Sequence, residues 1–408
     1  MSRAMKNSGI PWIGEIPEGW NVSMLSSYFK QRKHKNQGLQ ETNLLSLSYG
    51  NIIRKSIDTN EGLLPESFET YNIIEKNDIV FRLTDLQNDK KSLRTGLCTE
   101  RGIITSAYIT LKPDQPLNSP YFHYLLHIYD ICKVFYGLGD GVRQGMNYDD
   151  LRKLLIIVPP LSEQEAIAEF LDRKCGEVDE MVSLQEQVIE ELKAYKQSII
   201  TEAVTKGLRP DVPMKPSGID WIGEIPEHWE TIRLRFLCTI QTGDSDTQDA
   251  VQDGQYPFYV RSPKIERSNR FTFDGEGILM AGDGAGAGRV FHHAFGKYAV
   301  HQRVYRLANF GKINTDFLFY FISSLFCKLM DRGSAQSTVP SVRLPMLTNF
   351  VVCIPPLSEQ REIADYLDRK CADIDALIAL KQQKIEDLRA YKKSLIYEYV
   401  TGKKQVLP

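Results

Sequence analysis

Long apolar runs are missing from this 408-residue chain. A bilayer span takes roughly 18 or more consecutive apolar residues. The densest stretch, 317–327, is shorter than that and broken by Ser323 and Ser324. The opening residues, MSRAMKNSGIPWIG, hold no apolar core of a secretory signal. Cysteine is sparse: seven residues, at 98, 132, 175, 238, 327, 353 and 371, none spaced C-x-x-C. Such scatter excludes a disulfide framework or a zinc knuckle and fits a reducing, cytoplasmic compartment. A charge excess of one sign is absent too. The chain carries net −2, and the imbalance is local, with 5 Lys/Arg against 11 Asp/Glu over 161–208. The remaining segments are near neutral, which neither demands nor excludes nucleic acid.

Motifs that carry chemistry are missing as well. There is no Asn-Pro-Pro-Tyr or Asp-Pro-Pro-Tyr, no Walker loop, no H-E-x-x-H and no G-x-S-x-G. His123 and His127 have the i, i+4 spacing of a helical metal pair, but no third ligand accompanies them. His292 and His293 are adjacent on a strand and face opposite sides. The run AGDGAGAG (281–288) matches the loose G-x-G-x-x-A pattern, yet a dinucleotide site needs a helix next and RVFHH reads as a strand. A close-approaching loop is the expectation there.

What the chain does have is a repeat. SGIPWIGEIPEGW at 8–20 recurs as SGIDWIGEIPEHW at 217–229, with 11 of 13 positions identical. The segment from PPLSEQ to the end of a helical pattern, 159–204, recurs at 355–400 with 26 of 46 identical. The intervals between these anchors differ in length, Trp12 to Pro159 spanning 147 positions and Trp221 to Pro355 spanning 134, and share little sequence. Drift alone erodes frame and insert alike. A constant frame around different inserts points to modules diverged to recognise different things.

Each Pro-Pro-Leu must end a strand ladder. Ser162 with Glu165 has capping-box spacing, whereas in the second copy Ser358 faces Arg361. A helical segment of about 40 residues follows each, about 60 Å long at ~1.5 Å per residue. The shared apolar positions are Val178/Ile374, Met181/Leu377, Val182/Ile378, Ile189/Ile385, Leu192/Leu388, Tyr195/Tyr391, Ile199/Leu395 and Ile200/Ile396, interrupted by Gln185/Lys381. Their steps of 3, 4 and 7 describe a helix seam. Two matching stripes in one chain bury each other most simply, with homodimerisation through the helices as the alternative; either orientation is open to the chain, and an antiparallel coiled coil, a rod with a module at either end, is the expectation.

Both inserts read as mixed strands and helices. In the first, 44–56, 77–85, 96–113 and 153–161 read as strands and 120–135 as a helix; in the second, 271–281, 288–293, 297–308 and 348–357 read as strands and 315–330 as a helix. The expected fold is therefore α+β: two tandem mixed domains, 1–158 and 209–354, each followed by a spacer helix, 159–208 and 355–408.

The variable intervals gather Arg, Asn, Gln and Lys, the types that meet base edges and phosphates. In the first module these are Lys30, Arg32, Lys33 and Lys35, then Arg82, Gln87, Asn88, Lys91 and Arg94, then Arg143, Gln144 and Asn147. In the second they are Tyr259, Arg261 and Arg270, then Arg289, Gln302 and Arg303, then Gln336. Gln144 and Gln336 stand at matched places before the last strand.

These words together resemble the specificity subunit of type I restriction–modification systems. WIGEIPExW, PPLSEQ followed by LDRKC, and AYK-x-S each occur twice, and FRLTDLQND and GILMAGDGAGAGRVF look like segments of that family's target-recognition domains. The resemblance covers essentially the whole chain. It implies two target-recognition domains that each read half of a bipartite, asymmetric site on double-stranded DNA. It implies helices that set the gap and dock two methyltransferase subunits, with restriction subunits joining the complex. S-adenosylmethionine, ATP and Mg are then expected on those partners, and no cofactor, metal or catalytic centre in this chain. A scaffolding adaptor with two protein-binding modules on a coiled-coil spacer is the alternative.

Overall fold

The computed structural model describes residues 3–56, 67–84, 86, 93–137, 145–333 and 340–406. The chain divides into two compact units, Met1–Gln185 with Gln383–Pro408, and Glu186–Gln382. The division cuts through the long helices rather than at their starts. The four sequential segments read from the sequence therefore regroup, each unit taking one insert, the first half of one helix and the second half of the other.

In the first unit the described elements used below are β1 (Asn21–Met24), β2 (Phe29–Gln31), β3 (Ile79–Phe81), β4 (Thr95–Leu97), β5 (Ile109–Pro113), α1 (Ser119–Ile131), β6 (Leu155–Val158) and α2 (Leu161–Lys206). The second unit continues with β7 (Glu230–Arg233), β8 (Thr239–Thr242), β9 (Tyr256–Tyr259), β10 (Gly277–Ala281), β11 (Phe291–Ala294), β12 (Lys297–Val300), β13 (Val304–Ala308), α3 (Thr315–Gly333), β14 (Val351–Ile354) and α4 (Leu357–Val400). Among the described residues no helix is long and apolar enough to cross a membrane.

Though their sequences do not align, the two inserts share a topology. The central antiparallel sheet runs β2-β5-β3-β4 in the first unit and β8-β13-β10-β11 in the second. In each, the strand that opens the insert pairs with the last one, β1 with β6 and β7 with β14. The middle strands β3 and β10 are buried along their whole length, as expected of strands covered on both faces. FRLTDLQND and AGDGAGAG, unlike in sequence, thus occupy one topological place, the connections β3–β4 and β10–β11. The second unit adds a sheet in which β9 pairs with β12 in parallel.

The long helices pack antiparallel within each unit. In the first, Ile167, Leu171 and Cys175 of α2 share a core with Leu395, Ile396 and Val400 of α4. Phe170 stacks against Tyr399 at 4.4 Å between centroids, and Lys392 reaches Asp179 at 2.7 Å. In the second, Ile200, Ala203 and Val204 meet Ile363, Leu367 and Cys371, and Lys196 reaches Asp375 at 2.7 Å. The expected seam is corrected at two of its eight pairs. Met181/Leu377 and Tyr195/Tyr391 are exposed, because at 100° per residue they lie on a flank of each helix rather than at the centre of the buried stripe.

Ser162 does not cap α2. The helix begins one residue earlier, with the Pro160 carbonyl accepting from Glu163 N at 2.9 Å and Gln164 N at 3.0 Å. The repeated word SEQ acts through its Glu and Gln instead. Gln164 donates to the Pro159 carbonyl at 2.8 Å and accepts from Asn118 N at 2.9 Å, while Asn118 caps α1 through Tyr121 N. Gln360, Pro355, Asn314 and Phe317 repeat that chain in the second unit. Arg361 in place of a capping Glu therefore costs α4 nothing.

Candidate functional site

The clearest cluster of exposed recognition chemistry lies in the second unit, around the connection β10–β11. Glycine is required there by close approach. A Cβ on Gly282 would sit 2.8 Å from the Arg303 carbonyl oxygen, and one on Gly286 would sit 2.5 Å from that of Arg261; Gly284 and Gly288 hold φ of +74° and +63°. The loop is pinned by Gly282 N to Arg303 O at 2.9 Å, Gly284 N to Pro340 O at 3.0 Å and Val342 N to Gly282 O at 2.7 Å. As read from the sequence, a strand follows it.

That approach sets Asp283 between two arginines. Its Oδ1 accepts from Arg261 Nη1 at 2.8 Å and its Oδ2 from Arg303 Nη1 at 2.7 Å. Burial pushes the Asp283 carboxyl up, but the two guanidinium groups outweigh it and hold the pKa below the ordinary value. Behind the cluster His301 is buried. Its Nδ1 accepts from Arg303 N at 3.0 Å and Nε2 faces Thr247 Oγ1 at 3.3 Å. Burial first, then the nearby Arg261 charge, lowers the His301 pKa and favours the neutral ring. Gln302 N donates to Ser245 O at 2.8 Å, and Arg270 Nη2 to Ser245 Oγ at 3.4 Å. The structure thus brings Arg261, Arg270, Gln302 and Arg303 to one surface, beside an open cavity of about 610 Å³ lined by Thr247, Arg261, Asp283, Gly284, Gly286 and His301. Arg289 points elsewhere, to Asp331 at the end of α3. Tyr259 is corrected: it is buried against Tyr298 and His292 in a core. Asp283 was not among the sequence candidates for DNA contact, although a lone acid inside a glycine run was the available signal; His301 stands beside Gln302 and Arg303 in the sequence, and its ring lies buried behind the cluster.

The first unit scatters its candidates more widely. Lys30 pairs with Asp114, and Lys35 donates to the Thr70 carbonyl; Lys33 is exposed. Arg32 is committed to Asp78, a carboxylate only 1% exposed. Arg94 is corrected outright. It is 0% exposed, its guanidinium bonded to the Thr84 and Arg82 carbonyls and its backbone N to Asp130, which places it in the core rather than on the surface. Arg82 bonds the same strand end through its backbone. Asn147 caps the short helix Tyr148–Leu151 through a capping box. Gln87, Asn88, Lys91, Arg143, Gln144 and Gln336 lie outside the described residues.

The His123 and His127 rings are 6.2 Å apart, and no three His, Cys, Asp or Glu gather to hold a metal among the described residues. His292 and His293 turn to different partners, the Ser262 carbonyl and Glu276.

Comparison with known proteins agrees with this architecture. The family model for the type I restriction modification DNA specificity domain matches twice, over residues 17–194 and 226–390. The MjaVIII type I restriction enzyme specificity subunit of Methanocaldococcus jannaschii is 23% identical over 96% of this chain and 94% of its own length. The EcoDI specificity subunit of Escherichia coli is 29% identical over a shorter alignment, 44% of this chain and 39% of that protein. Among solved structures, a chain described under the complex assembly and conformational transition of the type I R-M system superposes with a TM-score of 0.71 at 17% identity, covering 95% of this chain and 99% of that one. The HsdS subunit of Thermoanaerobacter tengcongensis gives 0.50 at 15% identity, covering 95% and 98%. The last two likenesses speak to fold alone; the doubled family match, over most of the chain, shows that the chain belongs to the type I restriction–modification DNA specificity family.

Proposed function

We propose that this chain reads a bipartite, asymmetric site on double-stranded DNA, each unit meeting one half. One observation carries the reading: a shared sheet order and frame hold, at the same topological place, two connections of different sequence. Matching frames with different connections make two readers of different half-sites, and so an asymmetric target. In the second unit Arg261, Gln302 and Arg303 gather against that connection, and these residue types suit direct readout of base edges.

The chemistry of modification belongs, on this reading, to partners. Two methyltransferase subunits dock on the long helices, and restriction subunits join them. S-adenosylmethionine, ATP and Mg are held on those subunits. Exposed apolar side chains support the docking. Met181, Leu184 and Tyr391 in the first unit correspond at an offset of 196 to Leu377, Leu380 and Tyr195 in the second, and all six are 43–64% exposed. Two matched apolar flanks fit two copies of one partner.

Long-read methylation mapping in cells carrying this chain with its methyltransferase partner tests the reading. A methylated adenine motif of two separated, different halves is expected. A contiguous motif, or none, overturns it.

A further inference from the structure

The strongest unassigned feature is the carboxylate held between two exposed arginines. We propose that Asp283 is the positioning residue of a guanine-reading pair: it fixes the Arg261 and Arg303 side chains so that a guanidinium fork meets the O6 and N7 edge of a guanine. This deepens the DNA-reading function proposed above and rests on it.

Three readings compete for an Arg–Asp–Arg cluster at a surface. An ornamental ion pair is the plainest, because exposed pairs contribute little to stability. That reading leaves the loop unexplained. Gly282 and Gly286 leave no room for a Cβ, and Gly284 and Gly288 adopt a left-handed backbone, all to bring one acid to both arginines. Glycine loses more freedom on folding than any other residue, so this run costs stability that a surface pair does not return. A phosphate contact is the second reading. It suits the arginines and not the aspartate, whose charge cancels one of theirs and repels a phosphodiester. The third reading uses every part. A guanidinium has five donors in a rigid plane. Each arginine gives one Nη1 to Asp283, which restrains its plane, while the side chains stay 41% and 60% exposed. Two parallel N–H groups on one fork match the two acceptors of guanine in the major groove. The backbone beneath is equally fixed, since Arg303 N is held by the buried His301 ring and Arg303 O by Gly282 N. The adjacent cavity of about 610 Å³ leaves space beside the cluster for base-pair edges.

The test uses the assembled complex with its methyltransferase partner, and long-read methylation maps of the unaltered chain, Asp283→Asn, Arg303→Lys and Lys312→Ala. The unaltered chain is expected to specify at least one guanine in one half-site. Asp283→Asn should keep modifying the site while losing about ten- to a hundredfold of its preference at one guanine position, with the other half-site unchanged. Arg303→Lys, which keeps the charge but loses the fork, should relax the same position. Lys312→Ala, an exposed lysine outside the cluster and its connection, should leave the motif as it was. Uniform weakening at every site with no relaxed position would show a phosphate or purely structural role and overturn the proposal, as would a half-site without guanine. If Asp283→Asn does not fold, the Arg303→Lys map alone decides. Absence of any bipartite motif in the unaltered chain would instead sink the DNA-reading function itself, a distinct outcome.

Discussion

Trp20 donates its indole N–H to Glu163, 3.0 Å away and 143 positions along the chain. The second unit repeats the contact between Trp229 and Glu359 at 3.2 Å. Two words that look unrelated in the sequence, WIGEIPExW and PPLSEQ, are therefore halves of one contact. Trp20 is fully buried, so removing its acceptor strands an N–H away from water. Glu163→Ala should destabilise the first unit by about 1–3 kcal/mol. Urea denaturation followed by tryptophan fluorescence checks it; an unchanged midpoint would assign the repeated acid to something other than folding.

This contact also shows what was legible. The repeat, the strand-rich inserts, the late helix of each insert and the apolar seam of the long helices could all be read from periodicity and turn residues. The role of each repeated letter could not, because its partner sits more than a hundred positions away. Asn118 and Asn314, or Tyr124 and Tyr320, look like parts of the variable inserts, yet they cap and brace against Gln164, Gln360, Asp172 and Asp368 of the constant frame. Side-chain direction sorted the candidates into core and surface. Arg94 and Arg303 are the same letter in polar surroundings, and only folding puts one in the core and the other on the surface.

That difference can be measured. Arg32→Ala leaves the Asp78 carboxylate buried with the Glu75 backbone N–H as its remaining donor, and burial already pushes its pKa up. A loss of about 3–5 kcal/mol is expected. Arg303→Ala should leave the denaturation midpoint unmoved and change the methylated motif instead. A motif change with full stability in Arg32→Ala would restore Arg32 as a reader.

The helix ends give a graded prediction. Gly402 and Gly207 both hold left-handed backbone against the buried Trp of the frame. A Cβ on Gly402 would come within 2.4 Å of the Pro17 ring, whereas one on Gly207 would lie 3.1 Å from a Glu359 oxygen. Both alanine variants bear about 1 kcal/mol or more of backbone strain. Gly402→Ala adds an overpacking cost of about 1–3 kcal/mol that Gly207→Ala largely escapes. Thermal melts should order them that way, and equal losses would refute the role of the Pro17 contact.

Stability should also fall in mild acid. Burial, with His127 beside it, pushes His123 down to about 3, and burial with the Lys392 charge pushes His127 down to about 4. Asp172, Asp179, Tyr124 and Cys175 line the same hollow. Unfolded, both rings titrate near 6.5. Below that pH the unfolded chain binds protons that the folded chain does not, so their contribution is complete above 6.5 and declines as pH drops toward 4. The slope is at most about 1.4 kcal/mol per pH unit for each ring. Urea midpoints at pH 7 and 5 should differ more for the unaltered chain than for His123→Gln/His127→Gln. Equal differences would place the acid sensitivity elsewhere.

The exposed flanks of the helices make the final prediction. Leu184 and Leu380 are matched, apolar and exposed, and neither appears in a core cluster. A lysine at either position should leave the melting temperature of this chain nearly unchanged, because surface substitutions seldom move stability by more than ~0.5 kcal/mol. It should nevertheless bury a charge if a methyltransferase subunit covers the flank, which a docked complex tolerates poorly. With two equivalent flanks, Leu184→Lys or Leu380→Lys alone should shift the purified complex from two methyltransferase copies to one, and the double variant should carry none. Mass measurement of the purified complex reads that count. Two copies retained by the double variant would move the docking surface off these flanks and leave their matched exposure without a role.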